Sequence, residues 1–64
     1  MDLNARQVKA VLYVKERGRI TNKEYQEINN TTDRTAIRDL ETLIQLNIIK
    51  RIGEKKGAYY ELAP

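Results

Sequence analysis

Two arginines four positions apart, Arg34 and Arg38, and a lysine pair between glycines, Lys55 and Lys56, carry the most legible chemistry in this 64-residue chain. A guanidinium fork forms two parallel hydrogen bonds to a phosphate, a carboxylate or the edge of guanine, which an ammonium does less well. Ammonium groups on a loop tip suit phosphates of any sequence. Thr21, Asn22 and Lys23 add a hydroxyl, an amide and a further cation where a helix should begin and its free amides can hold an anion. Other chemistries lack their parts. The chain has no histidine and no cysteine. That removes the commonest general base and metal ligand, every thiolate metal site and any disulfide. Asp39 and Glu41 could be imagined as a carboxylate pair, but two residues apart on a helix they diverge by about 160°. No phosphate loop of the Gly-x-x-x-x-Gly-Lys type is present, because Gly53 to Gly57 is too short and lacks the Ser or Thr. The expectation is a chain without enzymatic activity, cofactor or metal.

The elements that must position these residues are marked by caps. Asn4 and Gln7 form a capping box, with Leu3 and Val8 as its hydrophobic staple. Val8, Ala10, Val11 and Val14 recur at helical spacing, Leu12 and Tyr13 broaden the stripe, and Gly18 suits the left-handed stop. A first helix over residues 5–17 follows. Thr21 with Glu24 is a second capping box, and Ile20 with Tyr25 its staple. This opens a helix of about seven residues that closes at Ile28. Asn29 and Asn30 begin a four-residue turn, and Thr32 caps a third helix that ends at Asn47, in the role usually given to glycine. Its apolar positions are Ala36, Ile37, Leu40, Leu43 and Ile44. The run from Ile48 to Ile52 reads as a strand, Gly53–Gly57 as a turn, and 58–62 as the return strand, with Tyr60 and Leu62 on one face. Arg19 and Ile20 are placed for a very short additional strand.

Helix, short strand, helix, helix and hairpin is the order of a winged helix-turn-helix: an α+β fold of three helices with a small antiparallel wing. At 100° per residue, Arg34, Arg38, Glu41 and Gln45 fall within about 60° of one another, opposite Ala36, Leu40 and Leu43. Thr35 and Thr42 flank that face. The third helix therefore presents two arginines one turn apart near its start, where a reader helix meets base edges. The overall charge is less informative: 12 basic against 9 acidic residues give +3. That excess is compatible with nucleic acid but does not demand it.

The stretches Gly18-Arg19-Ile20-Thr21-Asn22-Lys23-Glu24-Tyr25 and Thr35-Ala36-Ile37-Arg38-Asp39-Leu40, with the Gly53–Tyr60 hairpin, resemble the C-terminal winged helix module of a bacterial family. That family is described as RecG-related ATP-dependent DNA helicases or transcriptional regulators. Similar modules end some Fic-family proteins, and the Thr-x-x-Arg-Asp-Leu stretch is similar to the reader helix of DeoR-type repressors. The resemblance implies a third helix in the major groove, through Arg34, Thr35 and Arg38, and a wing on the backbone or minor groove, through Lys55 and Lys56. Any helicase activity would belong to a parent protein.

Residues 1–64 are thus expected to be one DNA-binding domain cut from a larger protein. The expected partner is double-stranded DNA, with a second copy or other domains of the parent as further partners, and the expected setting is the cytoplasm. No signal peptide opens the chain, and no apolar stretch approaches the ~20 residues of a membrane span. The rival expectation is a winged helix used for protein contact, in dimerisation or intramolecular docking, because fold does not fix function. The breadth of the apolar surface of the first helix, at Leu12 and Tyr13, would serve it.

Overall fold

A computed structural model describes residues 2–54 and 56–64. Its elements are α1 (Ala5–Arg17), α2 (Asn22–Asn29), α3 (Asp33–Gln45), β1 (Ile49–Ile52) and β2 (Tyr59–Leu62). The fold is α+β, three helices and a two-stranded antiparallel hairpin, consistent with a winged helix.

The caps form as their spacing predicts. Asn4 accepts from the Gln7 amide at 2.8 Å, and Gln7 accepts from the Asn4 amide at 2.9 Å. The Thr21 hydroxyl accepts from the Glu24 amide at 3.1 Å while Glu24 accepts from the Thr21 amide at 2.8 Å. Thr32 accepts from the Thr35 amide at 3.2 Å. Each pair satisfies amides that a helix start leaves without intrahelical partners. At the other ends, Gly18 stands at φ 94°, Asn30 at 48° and Asn47 at 60°. Glycine enters this region at no steric cost, and asparagine is among the side chains that tolerate it. Because α2 runs through Asn29, only Asn30–Thr32 link it to α3, one residue fewer than the sequence suggests.

In the hairpin, Ile49 stands opposite Leu62 and Ile52 opposite Tyr59. The expected strand at Arg19 and Ile20 is reduced to one bridge, in which Ile20 and Tyr60 exchange hydrogen bonds of 2.9 and 2.8 Å. Ala10, Val14, Ile20, Tyr25, Ala36, Leu40, Leu43 and Ile49 form the core, with Tyr60 and Leu62 packed against it.

Val8 and Ile37, assigned to buried stripes, lie outside, as does Leu12, which broadens the stripe on α1. Val8 is 45%, Leu12 59% and Ile37 45% exposed. On α1 the inward line is Gln7, Ala10 and Val14. Val8 is turned about 100° from Gln7, and Leu12 lies farther round still. Leu3 packs on the core, and its expected staple partner Val8 is 45% exposed. On α3 the same one-residue rotation carries Ile37 away from buried Ala36.

Candidate nucleic-acid interface

The position of α3 is set by a polar centre inside the fold. Asp39 is buried and accepts from Arg6 at 2.7 and 3.3 Å, from the Tyr25 hydroxyl at 2.7 Å and from the Asn4 amide group at 3.2 Å. The Gln7 side chain donates to the Asp39 carbonyl at 3.1 Å. One carboxylate thus joins α3 to α2, α1 and the cap of α1. Burial alone would raise the Asp39 carboxyl, but the bonds from Arg6, Tyr25 and Asn4 outweigh it and hold it below its ordinary value. Burial, then the bond to Asp39, pushes the Tyr25 phenol up. Among the described residues no buried side-chain nitrogen or oxygen lacks a partner, as a stable polar centre requires. Asp39 was not among the residues singled out from sequence for a structural role. A signal was present: Asp39 falls about 40° from Leu43 on the helical projection, on the core side.

Fixed in this way, α3 turns Arg34 and Arg38 outward, both exposed. The Arg6–Asp39 contact is the one ion pair among the described residues. Arg17 and Arg19 are engaged differently, over the rings of Tyr13 and Tyr59 at 5.4 and 4.7 Å. Thr35 is half-buried and its hydroxyl receives the Thr32 hydroxyl at 3.2 Å, so it serves the helix start. Thr42 donates to the Arg38 carbonyl at 3.1 Å and leaves the Arg38 guanidinium uninvolved.

A groove of about 680 Å³ runs between α2, α3 and the hairpin. Asn22 and Lys23 line one wall and Arg51 and Tyr60 another, with Ile37 and Glu41 contributed by α3. The lining also includes Asp33, so the groove is of mixed charge. Arg34, Thr35 and Arg38 lie on α3 beyond this lining. Thr21 is committed to its cap, and Asn22 accepts from Gln26, which also donates to Asp33 at 3.4 Å and so ties α2 to the start of α3. Lys23 is exposed. Lys56 is exposed at the hairpin tip, beside Gly57 at φ 87°, while Lys55 lies outside the described residues. Arg51 is the groove cation that sequence reasoning had not selected. Its cross-strand partner is Tyr60, which places both on the sheet face turned toward α3.

Among the described residues, no helix is long and apolar enough to cross a membrane. The class the fold defines is an α+β domain of winged-helix layout. Compared with family models, the chain matches none. Compared with curated proteins, it likewise finds no match.

Proposed function

We propose that this chain binds double-stranded DNA, with α3 in the major groove and the hairpin tip on the backbone or minor groove. The observation that supports the reading best is the division among the arginines. Arg6, Arg17 and Arg19 are spent on a carboxylate or a ring, whereas Arg34 and Arg38, on the outward face of α3, meet no acid within ion-pair distance among the described residues. Two uncommitted guanidinium groups one turn apart suit guanine edges or phosphates. The resemblance of Thr35–Leu40 to DeoR-type reader helices, and of the chain to the RecG-related module, supports a role within a bacterial transcriptional regulator or helicase-like protein of the cytoplasm. Titration against generic duplex DNA at two salt concentrations tests it. Dissociation constants on the order of 10⁻⁴ to 10⁻⁶ M at physiological salt are expected, and about five phosphate contacts give a slope near −4.5 in log K against log salt. Measurable affinity with a flat salt response would contradict it.

A second reading, protein contact through α1, draws on Leu12, 59% exposed, with Val8 on the same side. Sedimentation of the chain tests its homodimeric form. A concentration-dependent dimer that Leu12→Glu dissolves would favour that reading.

A further inference from the structure

We infer that Ile37 is a specificity-determining residue that reads the C5-methyl group of a thymine in the major groove. This rests on the DNA-binding reading above and adds to it a base identity that the arginines cannot supply.

Ile37 is an apolar side chain on the helix that would enter the groove, and it is 45% exposed although Ala36 before it is fully buried. It lies about 60° round α3 from Arg34 and about 100° from Arg38, on the side that faces the hairpin. Lys23 of α2 and Arg51 of β1 line the same groove, together with Asp33 and Glu41 of α3. A DNA strand lying there would set its phosphates against those two cations and its base edges against α3. In the major groove the apolar feature a base pair offers is the thymine methyl, which cytosine lacks and which an aliphatic side chain can contact. An isoleucine kept in water would bury its surface at no polar cost on meeting that methyl. Arg34 and Arg38 reach guanine acceptors from neighbouring positions, so the preferred site should place a thymine beside guanine.

The test begins by selecting a preferred duplex from a random library with the whole chain. Each thymine of that duplex is then replaced singly by deoxyuridine, which removes the methyl and leaves all Watson–Crick hydrogen bonds in place. At one position the wild-type affinity should fall about three- to fivefold, the loss expected for one buried methyl. Ile37→Ala should bind the thymine duplex more weakly by a similar or larger factor and be indifferent to deoxyuridine at that position. Circular dichroism checks that Ile37→Ala is folded, and the wild-type deoxyuridine series needs no variant. Wild-type affinity unchanged by deoxyuridine at every position would overturn the inference while leaving DNA binding intact. So would an Ile37→Ala variant that keeps full deoxyuridine sensitivity. Absence of binding to any duplex even at low salt would instead remove the DNA-binding reading, and this inference with it.

Discussion

The Tyr25 hydroxyl donates to the Asp39 carboxylate at 2.7 Å, across 14 positions of sequence and within the core. Tyr25 is fully buried on α2, and Asp39 is buried on α3. The bond therefore fixes the angle between the two helices of the helix-turn-helix from the inside. Its loss should be felt in stability. Tyr25→Phe is expected to cost about 1–2 kcal/mol by the loss of a bond to a charged acceptor. Asp39→Asn should cost about 2–3 kcal/mol, because it also leaves Arg6 without its partner. Chemical denaturation of both variants and the double mutant checks this. The two costs should be less than additive, since each removes the same bond.

Stability should also fall at both ends of the pH range. The Asp39 and Glu24 carboxyls are held below their ordinary values, Glu24 chiefly by the bond from the Thr21 amide. In acid the unfolded chain therefore binds protons first, so the stabilisation present above about pH 4 is lost as the pH falls through the lower folded values. Tyr25 has the opposite sense: its folded value is raised, so above about pH 10 the unfolded chain releases the proton first and folding weakens. Thermal midpoints measured from about pH 2 to 11 should trace a plateau with two falling limbs. Asp39→Asn should flatten the acid limb, and Tyr25→Phe the alkaline one.

Caps should matter to stability more than outward charges. Thr21→Ala is expected to lower it by about 1 kcal/mol, because it leaves the Glu24 amide without its acceptor. Arg34→Ala should change it by less than about 0.5 kcal/mol. Denaturant midpoints decide. A larger loss at Arg34 would make that residue structural and count against a reading face on α3.

Reading and gripping should separate in binding. Arg38→Ala is expected to cost about 1–3 kcal/mol on a selected site and to relax preference at one base pair. The double substitution Lys55→Ala with Lys56→Ala should weaken all duplexes alike and reduce the salt slope by up to about 2. Titrations on selected and scrambled DNA check both. Equal loss on the two DNAs for Arg38→Ala would reduce that residue to phosphate contact. No change in either variant would move the protein-contact reading forward.

The features legible in sequence were those decided within one helical turn. Asn4 with Gln7 and Thr21 with Glu24 announced their boxes, and Gly18, Asn30 and Asn47 announced left-handed backbone. The outward position of Arg34 and Arg38 followed from helical rotation alone. Less legible was anything needing a neighbour from elsewhere in the chain. Asp39 drew no structural role because Arg6 and Tyr25, its partners, lie 33 and 14 positions away. Val8 and Ile37 were counted with the buried stripes because hydropathy does not say which side of a helix its neighbours will cover. Arg51 was not selected as a site residue because its face depends on strand register, and a shift of one residue would have turned it the other way.

The bridge between Ile20 and Tyr60 makes tolerance to added length unequal along the hairpin. Thr21 follows Ile20 directly, so the base of the wing and the first turn of α2 are held as a unit by two backbone hydrogen bonds and one peptide link. A single residue inserted between Arg19 and Thr21 would turn Ile20 out of the core and pull Thr21 off its cap. At the far end, Gly53, Glu54, Lys56 and Gly57 are all exposed, and lengthening such a tip adds little closure entropy. The module can therefore change its reach by insertion at the tip while the angle at which the wing leaves the domain stays fixed.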